Sequence, residues 1–528
     1  MKLCYIRDMN PEVIKYPVGI QSFPKLIEGG FAYVDKTRFI KSIAENEAFY
    51  FLSRPRRFGK SLLLSTLHAF FEGRRELFKG LAIDSMDVDW TPNPVLHFDF
   101  NASDYKKENG LEALLDQQLR EHEEFYEINR QYSEPAQRFR QLIRSAFEKT
   151  GRKVVILIDE YDKPLLGLED NEELYERYQS TLKGFFGNLK SMDAFIRVAF
   201  LTGVARFNRV SIFSDINNLK DISLVDRFSD ICGWTEEEMV DSFKSGIENL
   251  ARKRKEDFDT TLREMRRYYD GYLFTPEGSR LYNPYSVLRA LDDERISPFW
   301  FATGTPTFLA RRIKNMGTFP PDLNGRKCTE KSLMTIGISD RNPVPLMFQT
   351  GYLTIGSYNP ETQLYQLQFP NYEVEIGFYE DILGQYAPIV YAPDSPFQFS
   401  DFKEDLYEGR IDDFMRRLEA LFKDLPREDH CESSYRAITY LLTVLCGTLS
   451  IAEHHSYRGR SDLEVQTSRF VYLFEFKYNR SVREAMEQIH SRDYAGHLAV
   501  DPRQVFLIGV NYMENRESRA LQYVIEKL

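Results

Sequence analysis

The run Phe49-Tyr50-Phe51-Leu52-Ser53 breaks at Pro55, and after Arg56-Arg57-Phe58 the chain enters Gly59-Lys60-Ser61-Leu62, where an apolar helical pattern begins. No other stretch constrains the fold as much. A strand that turns through Gly-Lys-Ser into a helix makes an anion site: the glycine lets backbone N–H groups approach, the lysine neutralises terminal phosphates, and the serine hydroxyl ligates the magnesium that travels with them. The chemistry is nucleotide binding, with Arg57, Phe58, Gly59, Lys60, Ser61 and Leu62 as candidate contacts and Ser61 also as a metal ligand. One position departs from the general P-loop pattern, which has glycine five residues before Gly59; this chain has Arg54 there. Glycine relieves a tight backbone, so Arg54 must take a non-glycine conformation or reshape the turn.

After the turn, Leu62, Leu63, Leu67, Phe70 and Phe71 recur at helical spacing up to Gly73. Val95 to Phe100 reads as the next strand, with helical segments near 111–125 and 135–149. Val154-Val155-Ile156-Leu157-Ile158 is the continuous apolar run of a strand buried on both faces of a parallel sheet. It ends in Asp159-Glu160, at the carboxyl edge where open α/β folds bind ligands. Asp159 is expected to hold magnesium through water and Glu160 to polarise the attacking water; the plain alternative is a solubilising turn after a core strand. Asp162 reads as a cap or loop residue. A helix over 171–189 and a strand over 195–203 follow, and Thr202 falls where a P-loop ATPase senses the γ-phosphate. Arg206 either pairs with that phosphate in cis or is a surface charge.

The 528 residues exceed one compact core and suggest two to four units at about 150 residues each. Hydrophobic content of 42% and aromatic content of 14% suit large cores and argue against disorder. The net charge of −11 argues against a general polyanion coat without deciding the partner. Cys4, Cys232, Cys328, Cys431 and Cys446 form no Cys-x-x-Cys pair, so free thiols are expected, with neither a zinc site nor a disulfide framework. Met1 to Glu12 lacks the apolar segment of a signal peptide, and Ala437 to Ala452 is shorter than a span of about 20 residues and reads as a buried helix running into a strand. A cytoplasmic protein away from membranes is expected.

Thr235 and Glu238 form a capping pattern at the start of a charged helical region reaching about Tyr268; the run Arg252-Lys253-Arg254-Lys255 reads as a solvated helix face, with a nucleic-acid patch as the alternative. Near the C-terminus a helix over 431–446 precedes a strand at Ser461 to Val465 and an antiparallel neighbour at Phe470 to Lys477. Alternation puts Glu475 and Lys477 on one face and Phe474 and Phe476 on the other, in the core. Asp462 and Glu475 are candidate magnesium ligands and catalytic residues, with Lys477 to orient or deprotonate a water that attacks phosphate. A cross-strand ion pair is the ordinary reading of the same pattern. A following helix with Gln488 and Tyr494 and a strand over 505–510 complete the order; Glu432 and Gln488 are accessory candidates.

The phrases Tyr-Val-Asp-Lys-Thr (33–37), Ser-Arg-Pro-Arg-Arg-Phe-Gly-Lys-Ser (53–61), Ile-Asp-Glu-Tyr-Asp-Lys-Pro-Leu (158–165) and Leu-Thr-Gly-Val-Ala-Arg-Phe (201–207) resemble the predicted AAA-ATPase-like family of bacteria, many members of which carry a C-terminal PD-(D/E)XK nuclease domain. The resemblance covers nearly the whole chain. It implies an α/β protein: an additional-strand P-loop ATPase domain with a parallel sheet flanked by helices over 1–230, a mostly helical lid or linker over 231–400, and a restriction-endonuclease-like α/β domain over 401–528. It implies Lys60 and Ser61 on phosphate and magnesium, Asp159 and Glu160 at metal and water, Thr202 as sensor, and ATP and Mg2+ as the bound groups, with arginine at position 54 as a family trait. The function expected is a magnesium-dependent ATPase coupled to a nuclease acting on DNA or RNA. The alternative is an ATP-binding switch or scaffold whose C-terminal domain binds without cleaving.

Overall fold

The computed structural model describes residues 14–528 except 102, 169–170, 205–212, 214–215, 217, 301–306, 316–319, 335–341, 393, 427–431, 457–458, 493 and 515–517. The chain divides into two compact units, one of Met1–Thr303 with Gly325–Val374 and one of Gly304–Asn324 with Glu375–Leu528.

In the first unit the strands β1 (Phe49–Ser53), β2 (Val95–Asp99), β3 (Val154–Asp159), β4 (Ile196–Gly203) and β5 (Leu219–Asp221) form one sheet in the order β2-β3-β4-β1-β5. Every pairing is parallel. β1 and β3 are buried along their whole length, which is why both read as unbroken apolar runs. β4 lies between them as the additional strand. Parallel neighbours need crossovers, supplied here by the helices Lys60–Phe71, Gly110–Phe125, Pro135–Thr150 and Glu172–Ser191. The last is capped by Asn171, whose side chain accepts from the Leu174 N–H. Phe98 on β2 meets Phe139 and Phe185, which stack at 4.3 Å, so the helices close over the sheet on an aromatic core.

The middle of the chain is mostly helical. Thr235 and Glu238 make the expected capping box on helix Glu236–Arg254, and Lys255, at φ 58°, ends it before helix Phe258–Tyr269. The basic run is paired locally, Lys253 with Glu294 at 2.9 Å and Arg254 with Glu256 at 2.9 Å, as on a solvated face. A small antiparallel sheet unforeseen in the sequence, β6 (Lys327–Cys328), β7 (Thr354–Asn359) and β8 (Leu364–Gln368), is ordered β6-β8-β7.

The second unit carries a mixed sheet, ordered β13-β12-β11-β10-β9, of β9 (Leu449–Ser456), β10 (Gly459–Gln466), β11 (Phe470–Tyr478), β12 (Gln504–Glu514) and β13 (Arg519–Lys527). β11 and β12 are parallel, joined through helix Val482–Ser491; the other pairs are antiparallel. Helix Glu432–Leu445 leads into β9, so the apolar stretch from Ala437 is a helix followed by a strand. No helix among the described residues is long and apolar enough to cross a membrane. Cys232, Cys328 and Cys446 are free thiols, while Cys4 and Cys431 lie outside the described residues.

Candidate nucleotide and nuclease sites

Helix Lys60–Phe71 starts from Gly59, whose φ of 89° is the left-handed conformation that glycine adopts at no cost. The other left-handed residue of the turn is Arg57, at φ 69°; Arg54 is not one. The turn is therefore reshaped three residues beyond the position where the general pattern has its first glycine. Lys60 is buried, and its Nζ donates to the carbonyls of Arg54 and Pro55, both at 3.0 Å. Two neutral acceptors hold the amine over the loop, where phosphate oxygens can replace them with a stronger charge-assisted bond.

Arg54 faces away from that chemistry. It is 1% exposed, donates to the carbonyls of Ser53 and Ser223 at 2.9 Å and of Phe228 and Ser229 at 3.1 and 3.3 Å, and lies 4.1 Å over the Phe274 ring. Burial holds its guanidinium down to about 10. The residue braces the loop against segment 223–229 and is no phosphate ligand. Arg54→Gly, which restores the general glycine, is expected to destabilise the first unit by about 3 kcal/mol or more, because it strands several carbonyls and opens a cavity. An unchanged first transition in urea would contradict this.

At the ends of β3 and β4, Thr202 Oγ1 donates to Asp159 Oδ1 at 2.5 Å, and the Glu160 N–H reaches the same hydroxyl at 3.4 Å. Glu160 takes φ 50°, which ends the strand. Leu52 of β1 pairs with Thr202, so the strand that feeds the phosphate turn lies beside the one that holds the Asp159 carboxylate. Asp162 accepts from the Val204 N–H at 2.9 Å, a loop-bracing contact in keeping with its expected role. A cavity of about 340 Å³ opens here, with Arg57 to Leu62 and Glu160 in its lining; Asp159 and Thr202 are buried and do not line it. Arg206 lies outside the described residues.

In the second unit, the pairing of Leu463 with Phe474 sets Asp462 opposite Glu475. Asp462 Oδ2 accepts the Phe476 N–H at 2.8 Å, and Lys477 Nζ donates to Glu475 Oε1 at 2.9 Å and to the Phe476 carbonyl at 3.1 Å. Glu475 is 1% exposed, and its Oε2 has no hydrogen-bond partner among the described residues. Burial, then the charge of Asp462, pushes its carboxyl up to about 7, against the opposing pull of Lys477. Gly509 sits beside Glu475 on β12, where a Cβ would stand 2.9 Å from the Met486 side chain and 3.2 Å from the Ala485 Cβ, so helix Val482–Ser491 packs closely on the sheet face that carries Glu475. A buried carboxylate with one bare oxygen beside a second carboxylate fits a hard divalent cation, which takes its remaining ligands from water or phosphate.

The family described as Predicted AAA-ATPase matches residues 17–213, and the PD-(D/E)XK nuclease superfamily matches residues 430–520. An Azotobacter chroococcum mcd 1 protein, described as an uncharacterized protein in the vnfD 5′ region, is 34% identical over 529 residues, covering 97% of this chain and 99% of that one. The chain belongs to the predicted AAA-ATPase family, with a PD-(D/E)XK nuclease superfamily domain at its C-terminal end.

In this AAA-ATPase-like protein the first match runs from Pro17 and takes in β1 to β4; the second takes in β9 to β12 with Asp462, Glu475 and Lys477. Several site-lining residues carried no readable signal. Pro17, Ile20, Val34, Cys232, Tyr285 and Leu288 add an apolar lining to the cavity that holds the phosphate turn. The phrase at 33–37 shows why it is there: Asp35 accepts from the Thr37 N–H and hydroxyl at 2.8 and 2.7 Å and from the Ala82 N–H at 2.6 Å, while Lys36 donates to Glu238 at 2.6 Å. Those bonds pin Tyr33 and Val34 to the cavity wall. In the nuclease-like domain, the helix residue that reaches Asp462 is Arg436, with Nη1 3.4 Å from Oδ1; it lies one turn beyond Glu432. Gln488 donates to the Tyr494 hydroxyl at 3.0 Å.

Proposed function

We propose that the protein binds ATP with magnesium and hydrolyses it at the carboxyl edge of the first sheet, and cleaves nucleic acid at Asp462, Glu475 and Lys477. The observation that carries the first half is the convergence of Gly59, Lys60, Ser61 and Glu160 on one cavity, with Asp159 locked by Thr202 at the adjoining strand end. Lys60 exchanges its two carbonyl acceptors for terminal phosphate oxygens. Ser61 and Asp159 hold the magnesium, Asp159 through water; Glu160 polarises the attacking water, Thr202 senses the γ-phosphate, and Arg206 is the candidate cis arginine. Arg57, Phe58 and Leu62 contact the nucleotide, and the apolar lining receives its base. In the second site Asp462 and Glu475 hold magnesium while Lys477 orients or deprotonates a water. When bound, magnesium offsets the phosphate charge that these residues must otherwise meet alone. Residues 1–230, 231–400 and 401–528 then serve as nucleotide domain, lid or linker, and nuclease domain of a cytoplasmic bacterial protein.

Titration with a fluorescent ATP analogue and magnesium tests the first half. Wild type is expected to bind saturably, and Lys60→Ala about ten-fold or more weakly, the loss of one charge-assisted bond. Equal binding by the two proteins would remove the phosphate-turn assignment.

A further inference from the structure

We propose that Lys163 is the cation that meets the charge gathering on the γ-phosphoryl group as ATP is hydrolysed; this rests on the nucleotide-site reading above. The loop after β3 sends its side chains two ways. Tyr161 and Asp162 turn inward. Tyr161 is fully buried, its N–H donates to the Thr202 carbonyl at 3.1 Å, and its ring meets Phe51 of β1 edge-on at 5.5 Å, while Asp162 accepts from the Val204 N–H at 2.9 Å. Glu160 and Lys163 both line the cavity of the phosphate turn. The Lys163 N–H donates to the Glu160 carbonyl at 3.0 Å, which closes the turn and sets the two side chains beside each other. A Cβ on Gly203 would stand 2.7 Å from the Tyr161 ring and 2.8 Å from the Asp162 carboxylate, so β4 packs hard against the loop and leaves it little room to shift.

Three other cations of that cavity are engaged elsewhere. Lys60 Nζ donates to two carbonyls of the turn, Lys36 donates to Glu238 at 2.6 Å, and the Arg57 guanidinium lies 4.5 Å over the Tyr285 ring. Lys163 Nζ instead stands 3.9 Å from Glu160 Oε2, an ion pair too long for a hydrogen bond, on a side chain that is 32% exposed. Little is lost when such an amine turns to a phosphate oxygen. Its charge also reaches the strand ends: burial raises the Asp99 carboxyl above its ordinary value, Asp159 and Glu160 add to the rise, and the Asn101 N–H and Lys163 oppose it. The water that Glu160 polarises lies within hydrogen-bond reach of its carboxylate, with the γ-phosphorus beyond it. An amine paired with the same carboxylate meets the phosphoryl oxygens from the side of attack, while Lys60 meets them from the turn. In the step itself the water oxygen bonds to phosphorus, the bond to the bridging oxygen breaks with its electron pair left on ADP, and the water proton leaves by way of Glu160. Lys163 keeps its own proton, and its charge counts most where charge spreads over the three equatorial oxygens.

The test follows phosphate release by wild type, Lys163→Met, Lys163→Gln and Lys163→Arg. Each is also titrated with a fluorescent ATP analogue, and with a fluorescent ADP in magnesium and aluminium fluoride, which mimics the phosphoryl group in flight. Lys163→Met keeps the stem and removes the charge, and Lys163→Gln removes the charge while keeping a polar end. Both are expected to bind the ATP analogue within about three-fold of wild type, which also shows that they fold, yet to turn over about a hundred-fold more slowly and to bind the fluoride complex about a hundred-fold more weakly. Lys163→Arg is expected to recover part of both losses. A lysine that only offsets the neighbouring carboxylates would shift the two ligands alike. Equal losses for the two ligands, or turnover near the wild-type rate, overturn the inference alone when wild type releases phosphate. Wild type that binds ATP and releases no phosphate overturns the hydrolysis reading and the inference with it.

Discussion

Glu160→Gln is expected to release phosphate from ATP at least about a hundred-fold more slowly than wild type while binding ATP as tightly. The substitution keeps size and shape and removes only the carboxylate charge proposed to polarise the attacking water. Glu160 suits that test because its backbone N–H is tied to Thr202, its side chain lines the cavity of the phosphate turn, and the Lys163 amine stands 3.9 Å from its carboxylate. Asp159 is a different case. It is bonded to Thr202 at 2.5 Å, so changing it disturbs both strand ends as well as the metal, and a loss of activity there would not separate chemistry from binding. Phosphate release by wild type and Glu160→Gln that is equally negligible, with both binding ATP, would decide for the switch or scaffold reading. Arg54 does not favour that reading, since its side chain is bonded to the carbonyls of Ser223 and Phe228 and the left-handed turn falls at Gly59.

What could be read from the sequence followed from how local each signal is. β1, β3 and the end of β4 announce themselves through unbroken apolar runs, and the box between Thr235 and Glu238 through a three-residue spacing. The place of β4 between β1 and β3 came only from the family resemblance, because strand order is set by pairings about 150 residues apart in the chain. β5 is three half-exposed residues and β13 a strand of mixed burial, neither with a period strong enough to stand out. The role of Arg54 was hidden because two of its acceptors lie about 175 residues downstream. On helix Glu432–Leu445 the contact between Arg436 and Asp462 joins a helix to a strand 26 residues on, so no local spacing announced it.

Asp462→Ala and Lys477→Ala are each expected to lower magnesium-dependent cleavage of single- or double-stranded DNA or RNA by about a thousand-fold or more, while leaving ATP hydrolysis near the wild-type rate. The two substitutions fail for different reasons, and that difference is the stronger check. Asp462→Ala removes a proposed metal ligand and also the acceptor of the Phe476 N–H, so excess Mn2+ should recover little. Lys477→Ala leaves both carboxylates in place and frees Glu475 Oε1 from its cation, so metal should still bind while the water loses its partner. Lys477→Ala also loses the packing of the lysine stem, so Lys477→Met, which keeps that packing and likewise removes the cation beside Glu475, belongs beside it. Adding ATP to the wild type then asks whether nucleotide state governs the second site: a cleavage rate indifferent to ATP removes that coupling and leaves the two chemistries independent. Cleavage that survives both substitutions would mean that the Glu-x-Lys strand is the ordinary ion pair its geometry also allows and that other residues make the cut, whereas a wild type that binds nucleic acid and does not cleave it would decide for the non-cleaving reading of the C-terminal domain.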